Sequence, residues 1–190
     1  MDMTKLYTLI LFVFSGSIFQ LNAQEYKLSE AQSVNVVGTS TLHDWKVTVP
    51  KAEGFPISID INSPLPEFTF KAEVKTMDGG RGASMNTKIY KALKSVEHPE
   101  IVYHQTEVSP VEKDGNEIII ISKGTLSIAG VENKVNLKIQ GNLDGDQLVL
   151  NGKCLLKMTD YNIDPPSAMF GQIETDDEIE VVFEINYLKK

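Results

Sequence analysis

An alternation of apolar and polar residues with a period of two constrains this chain more than any other feature of its sequence. In segment 131–141, VENKVNLKIQG, the apolar residues Val135, Leu137 and Ile139 alternate with polar ones, and segment 178–188, EIEVVFEINYL, repeats the pattern. Successive side chains of a β-strand point to opposite faces of the sheet. Both segments therefore predict strands that bury one face and expose the other to water.

Other segments show the same tendency, and turn-forming residues separate them, as in SPLP (63–66), KDGN (113–116) and LDGD (143–146). Many short strands at this spacing predict an all-β antiparallel sandwich or barrel. The further candidate strands are SVNVVGTSTL (33–42), WKVTV (45–49), FPISIDI (55–61), EFTFKAEV (67–74), EIVYHQTEV (100–108), EIIIISKGTLSI (117–128) and QLVLNGKCLLKM (147–158).

Segment 83–100 departs from the period of two. Its apolar residues Met85, Ile89, Leu93 and Val96 recur every three or four positions, which predicts one short amphipathic helix. The helix must end before Pro99, because the residue that precedes a proline is displaced from helical dihedral angles. The glycines at 79, 80 and 82 lack the lysine and the spacing of a phosphate-binding loop, so we interpret them as a flexible entry to the helix.

The first 23 residues have the composition of a secretory signal peptide. Lys5 precedes an apolar run over 6–14, small residues follow, and Ala23 suits the last position before cleavage. The run is too short for a comfortable membrane span, so we expect no integral span in the mature chain. The sequence therefore predicts a signal peptide over 1–23, a single β-barrel domain over 24–190, and a periplasmic or secreted location.

Composition narrows the partners that the mature domain can have. The net charge is −8 and no run of lysine and arginine is present, which argues against nucleic acid. The one cysteine, Cys154, excludes an internal disulfide, and its apolar neighbours predict a buried residue rather than a reactive thiol. The sequence predicts no cofactor and leaves a homodimer open.

His43 and Asp44 are adjacent and invite comparison with a catalytic dyad. Adjacent residues of a strand point to opposite faces, so these two side chains cannot orient one another as a base and its carboxylate do. The chain has neither the H-E-x-x-H spacing of a zinc site nor the G-x-S-x-G turn of a hydrolase. We therefore expect no catalytic residue, no metal site and no enzyme activity.

Four stretches, in this order, resemble the YceI-like family of exported bacterial proteins: GTSTLHDWKV (38–47), KALKSVEHPEIVYHQT (91–106), GTLSIAGVENKVNLKIQG (124–141) and MTDYNIDPPSAMFG (158–171). The resemblance implies an antiparallel eight-stranded lipocalin-like barrel with one helix beside it. It also implies a binding or carrier role, with a polyisoprenoid chain such as an isoprenoid quinone or a polyprenyl phosphate inside the barrel. No established reaction is implied.

The alternation of side chains along each strand then predicts which residues face the barrel interior. On the first candidate strand the more apolar parity set includes Gly38, which would leave room for a ligand, and no charged side chain falls in the inward sets. An uncharged cavity favours an apolar guest, since burying a five-carbon prenyl unit is worth at most about 3–4 kcal/mol. On the helix, Met85, Ile89 and Leu93 either pack against the barrel or form a gate at its mouth. The predicted ligand-binding residues are Val36, Gly38, Leu42, Phe68, Phe70, Met85, Ile89, Ile101, Tyr103, Leu126, Ile128, Leu137, Ile139, Leu156, Met158, Val181 and Phe183.

Two other functions remain open at this point. An enzyme that acts on an isoprenoid lipid would use His43, Asp44 or Tyr161 near the barrel mouth. A ligand-free interaction module of the cell envelope would present segment 160–178, in which the Pro165–Pro166 pair, Met169 and Phe170 form an apolar patch. We favour a loop that closes the barrel end as the interpretation of this segment.

Overall fold

The computed structural model describes residues 24–168 and 172–190, which form twelve strands, one α-helix and two short 3-10 helices. The predicted signal peptide, Met169 and Phe170 lie outside the described residues. The α-helix, α1, spans Ala83–Ala92, and the 3-10 helices span Val74–Thr76 and Thr159–Tyr161. The strands are β1 (Glu25–Ser40), β2 (Trp45–Thr48), β3 (Ala52–Glu53), β4 (Ser58–Asp60), β5 (Thr69–Glu73), β6 (Glu100–Val108), β7 (Glu112–Asp114), β8 (Glu117–Ile128), β9 (Val131–Asp144), β10 (Gln147–Lys157), β11 (Ser167–Ala168) and β12 (Ile173–Lys189).

The strands form one curled antiparallel sheet in the order β2-β1-β12-β10-β9-β8-β6-β5-β3. Its two edge strands, β2 and β3, follow one another in the chain, so residues 49–51 bring the edges together. The backbones of Thr48 and Asp78 exchange two hydrogen bonds, of 2.8 and 3.0 Å, beside this connection. The covalent chain therefore joins the two unpaired edges, and the curled sheet is consistent with the predicted barrel.

The all-β class and the single helix are confirmed, but the total of eight strands is wrong. Eight strands have four or more residues, namely β1, β2, β5, β6, β8, β9, β10 and β12. The other four have two or three residues. They lie in the turn-rich segments between the long strands, where a short stretch of backbone pairs with one neighbour and then turns away.

Helix α1 is shorter than its apolar spacing suggests. It ends at Ala92, well before Pro99, because Lys94 adopts a left-handed conformation with φ of 52° that a helix cannot continue through. Met85, Ile89 and Leu93 do face the barrel interior. Val96, assigned to the same face from its spacing, lies beyond the helix and is 80% exposed, so that assignment is wrong.

One end of the barrel is filled by a cluster that we call the basal core. Large aliphatic side chains from the starts of β8 and β10 and from the end of β9 meet there with two tyrosines from β1 and β12. Because these side chains occupy the interior completely, this end is a packed core rather than a pocket. The basal core consists of Tyr26, Ile59, Ile61, Leu65, Ile118, Ile120, Ile139, Leu143, Leu148, Leu150, Ile185 and Tyr187.

Substitutions on β9 test this inside-outside alternation. Ile139 is 4% exposed whereas Lys138 lies in an exposed position. We expect Ile139→Glu to lower the free energy of unfolding by about 3 kcal/mol or more, because it buries a carboxyl group without a partner. Lys138→Glu should change it by less than about 0.5 kcal/mol. Urea unfolding measures both, and equal losses would contradict the register of β9.

Candidate binding cavity

The other end of the barrel is hollow. It encloses a cavity of about 270 Å³ whose wall is almost entirely apolar. Eight strands and α1 contribute side chains to the wall, and the basal core forms its floor at Ile139. Ligand pockets typically start at about 300 Å³, so a cavity of this size suits a slender guest.

Fifteen of the seventeen predicted ligand-binding residues line this cavity. They come from seven strands, from α1, from the residue that precedes β5 and from the residue that follows β10. The parity of the strands therefore places them around one space. These residues are Val36, Phe68, Phe70, Met85, Ile89, Ile101, Tyr103, Leu126, Ile128, Leu137, Ile139, Leu156, Met158, Val181 and Phe183.

Gly38 and Leu42, the other two predicted ligand-binding residues, do not line this cavity. Leu42 follows the end of β1 and is 65% exposed. Gly38 faces inward, but the Trp45 ring lies over it, and a Cβ at Gly38 would be 2.3 Å from Trp45 Cζ2. The room that glycine provides is therefore occupied by the indole, which donates a 3.0 Å hydrogen bond from Nε1 to the Thr39 carbonyl. Trp45 itself lines the cavity.

Gly152 has the same role in β10. It is the direct cross-strand partner of Phe183, and a Cβ at this glycine would lie 2.1 Å from the Phe183 ring. An aromatic ring can lie flat across a neighbouring strand only where that strand has no side chain. Glycine thus lets Trp45 and Phe183 form parts of the wall.

The prediction missed other parts of the wall. Val47 and Val135 lie on strands with clear alternation, so their parity could have identified them. Tyr161, Ile163 and Pro166 come from a 3-10 helix and a loop, where no periodicity marks the inward side. The missed lining residues are Val34, Trp45, Val47, Val49, Phe55, Ala72, Met77, Lys88, Ala92, Leu93, Val135, Cys154, Tyr161, Ile163, Pro166, Thr175 and Ile179.

Three buried polar side chains, Tyr103, Ser122 and Gln105, are linked by hydrogen bonds between the basal core and the cavity. The Tyr103 hydroxyl and Ser122 Oγ are 2.7 Å apart, and Ser122 Oγ donates to Gln105 Oε1 at 3.1 Å. Gln105 Nε2 in turn donates to the carbonyl oxygen of Pro66 at 3.4 Å. Because each member has a partner, Tyr103 contributes its ring to the cavity while its hydroxyl is already satisfied.

Tyr161 differs from Tyr103 in this respect. It is 2% exposed, and its hydroxyl is buried without a hydrogen-bond partner among the described residues. The neighbouring Asn133 amide instead donates from Nδ2 to the Asp160 carbonyl at 2.8 Å. Burial raises the pKa of Tyr161 to about 12, the Cys154 thiol adds to the increase, and the Asn133 side chain opposes it. The hydroxyl is therefore protonated at neutral pH and free to donate.

Charged groups are nearly absent from the cavity wall. Of the lining residues, Lys88 on α1 is the charged one, and it is exposed to solvent. In residues 24–168 and 172–190, no three His, Cys, Asp or Glu side chains are close enough to hold a metal ion. His43 and Asp44 are not lining residues. Within the same ranges, no helix has the length and apolarity needed to cross a membrane.

The wall is incomplete between β9 and β10. These strands pair from Gln147–Asp144 as far as Lys153–Lys138. Above that point residues 131–137 of β9 pair with β8 alone, and residues 154–157 of β10 pair with β12 alone. We call this opening the lateral slit; its outer groove is lined by Lys134, Val135, Asn136, Lys153, Cys154, Leu155 and Glu180. Val135 and Cys154 line both the slit and the cavity.

Residues 19–187 match the family model of the YceI-like domain. The chain belongs to the YceI-like family. The resemblance noted in the sequence is thereby confirmed over nearly the whole chain. A search of curated proteins found no match.

Solved structures with low sequence identity to this chain share its fold. BcnA of Burkholderia cenocepacia superposes with a TM-score of 0.64 at 15% identity, over 82% of this chain and 95% of that one. A polyisoprenoid-binding domain from Saccharophagus degradans, implicated in plant cell wall breakdown, gives 0.61 at 15% identity, over 88% and 99%. The Campylobacter jejuni YceI protein gives 0.59 at 14% identity, over 76% and 84%. Identities this low establish the fold alone.

The single tryptophan of the YceI-like chain reports on the cavity wall. Gly38→Ala should displace the Trp45 ring, break its bond to the Thr39 carbonyl and shift its emission to longer wavelength. We expect a loss of about 1–3 kcal/mol in unfolding free energy from overpacking. Gly152→Ala is the control, because it displaces Phe183 and should destabilise without shifting the emission. An unshifted spectrum for Gly38→Ala would contradict the ring's position.

Proposed function

We propose that this protein is an exported carrier that holds a polyisoprenoid-type lipid, a quinone or a polyprenyl chain, inside its barrel. The main support for the proposal is the apolar cavity, to whose wall every long strand and α1 contribute side chains. The predicted signal peptide supports a periplasmic or secreted location. The fifteen predicted residues that line the cavity are the proposed ligand contacts.

The physical chemistry of the wall favours an apolar guest. A charged group placed among these side chains would lose its hydration without gaining a partner. An aliphatic chain instead gains about 25 cal/mol for each Å² removed from water. Each prenyl unit then contributes at most about 3–4 kcal/mol by the methylene rule, against which the cost of ordering the chain must be set.

The family comparison supports the same class of ligand. A structural neighbour from Saccharophagus degradans is described as a polyisoprenoid-binding domain, and it is covered almost completely by this chain. Its identity of 15% transfers no individual contact, so the residues of this protein are assigned from its own cavity.

Binding fits the cavity better than catalysis does. His43 and Asp44, which an isoprenoid-modifying enzyme would use, are not part of the wall. Burial raises the pKa values of both Cys154 and Tyr161. Since each is neutral at physiological pH, neither is activated as a nucleophile or as a base. We therefore propose a binding role without turnover.

Filling the cavity should abolish binding without unfolding the protein. Ala92 lies on the cavity side of α1, and Ala92→Phe would place a ring where the guest lies. We expect the affinity for a short prenyl lipid to fall at least about tenfold while the melting temperature stays within a few degrees. Native mass spectrometry of the purified protein, with organic extraction of its ligand, measures both occupancy and ligand mass.

The matched control is Ala83→Phe, at an exposed position on the same helix. It should retain the lipid as the wild type does. A wild-type protein that remains empty after exposure to envelope lipids would contradict the carrier function. Equal binding by the wild type and Ala92→Phe would place the ligand outside this cavity.

A further inference from the structure

The Tyr161 hydroxyl is a donor without an acceptor in a cavity that offers little other polarity. Buried polar groups in folded proteins nearly always have a hydrogen-bond partner, so an unpaired one calls for an explanation. The other polar aromatic side chains of the wall are satisfied, because Trp45 donates to Thr39 and Tyr103 pairs with Ser122. Tyr161 is thus free to bond with a guest.

The position of Tyr161 fixes which end of a guest it would meet. The 3-10 helix Thr159–Tyr161 follows the end of β10, whereas the basal core contains Leu148 and Leu150 from the start of that strand. Tyr161 therefore lies at the opposite end of the barrel from the basal core. A prenyl tail that extends toward the apolar floor at Ile139 and Phe183 leaves its head beside Tyr161.

The groups around Tyr161 disfavour an anionic head at this point. The side chains that perturb its hydroxyl are Cys154, Asn133 and Asp160, none of which is a cation. The charged lining residue, Lys88, belongs to α1 and is exposed to solvent. A phosphate beside Tyr161 would be desolvated next to an acidic side chain, which is costly.

We propose that Tyr161 donates a hydrogen bond to a neutral acceptor oxygen on the head of the bound lipid. The preferred guest is then a carbonyl-bearing prenyl lipid of the isoprenoid quinone type, rather than a prenyl phosphate. This inference rests on the proposed carrier function and specifies the ligand class for the same cavity.

Three probes with the same short prenyl chain test the inference: a benzoquinone, the unsubstituted hydrocarbon and a monophosphate. Quenching of Trp45 gives the affinity for the quinone, and competition gives the other two. In Tyr161→Phe we expect quinone binding to weaken about five- to tenfold, the usual effect of one lost hydrogen bond. Hydrocarbon binding should stay within about twofold.

Infrared spectroscopy separates a hydrogen bond from a change in packing. The carbonyl band of the bound quinone should lie at lower wavenumber than in an apolar solvent, and it should return toward the solvent value in Tyr161→Phe. Tyr187→Phe is the matched control, because that buried tyrosine donates to the Pro56 carbonyl at 3.1 Å in the basal core. It should lower the melting temperature and leave the carbonyl band unchanged.

The outcomes distinguish this inference from the carrier proposal. If the wild type binds neither the quinone nor the hydrocarbon, the carrier function is wrong and the inference falls with it. If it binds both, and Tyr161→Phe alters neither the affinities nor the carbonyl band, only the role of Tyr161 is wrong. Tightest binding of the monophosphate, lost in Lys88→Ala, would assign the head group to Lys88 instead.

A second inference concerns the route by which a guest enters. In the hollow half of the barrel, β9 and β10 stop pairing with each other at the lateral slit, although each stays paired with its other neighbour. A prenyl chain can pass there without breaking the hydrogen bonds of the sheet. Val135 and Cys154 form a single layer between groove and cavity, and Leu155 presents an apolar side chain, 76% exposed, at the outer rim. The geometry points to the lateral slit as the entrance for the prenyl chain.

A crosslink across the lateral slit tests this route. If the register of β9 and β10 continued, Asn136 and Leu155 would be opposite each other, and both are exposed. In a Cys154→Ala background, Asn136→Cys with Leu155→Cys can be joined by a short bismaleimide. We expect uptake and release of the quinone probe to slow at least tenfold after joining, with the affinity nearly unchanged.

The control crosslink joins Gln140→Cys and Asn151→Cys in the same background, where the two strands already pair directly. Because no opening lies there, both rates should be unchanged. Equal rates before and after joining positions 136 and 155 would show that the chain enters elsewhere and would overturn the inference.

Discussion

The pairing of β12 along both of its edges is the constraint on which the rest of the structure depends. This strand is hydrogen-bonded to β1 from Tyr26–Lys189 to Ser40–Thr175, and to β10 from Gln147–Leu188 to Lys157–Glu178. A strand held on both sides cannot slip by one residue without turning its whole apolar row to solvent. Its inward residues therefore run in one fixed line, from Tyr187 and Ile185 in the basal core to Phe183 and Val181 in the cavity wall.

The same strands fill one half of the barrel and leave the other hollow. β8 passes from Ile118 and Ile120 in the basal core to Leu126 and Ile128 in the cavity wall, and β10 makes the same passage. At the border, inward positions carry small residues, Ser122 on β8 and Gly152 on β10. Small residues there leave room for the hydrogen-bonded side chains of Tyr103, Ser122 and Gln105 and for the flat ring of Phe183, at the border between the basal core and the cavity.

The cavity combines two properties that a lipid carrier needs. Its wall is apolar enough to hold a prenyl chain. The polar atoms of the wall are few and mostly hydrogen-bonded within the protein, so they bind little water that a lipid would have to displace. Within this cavity, the unpaired Tyr161 hydroxyl and the lateral slit depart from complete hydrogen bonding. Such departures are expected at functional sites rather than in a core that serves stability alone.

The sequence by itself determined the long strands, the helix, the family and about half of the cavity wall. Residues such as Leu137, Ile139 and Phe183 were predictable because a period of two assigns each side chain to a face, and a closed sheet has one inside. Tertiary structure decided the features that depend on residues distant in the chain. Gly38 offers space in the sequence, but only the pairing of β1 with β2 places Trp45 over it. Tyr161 enters the wall from a 3-10 helix without periodicity, and the lateral slit arises where two strands diverge, which local sequence does not encode.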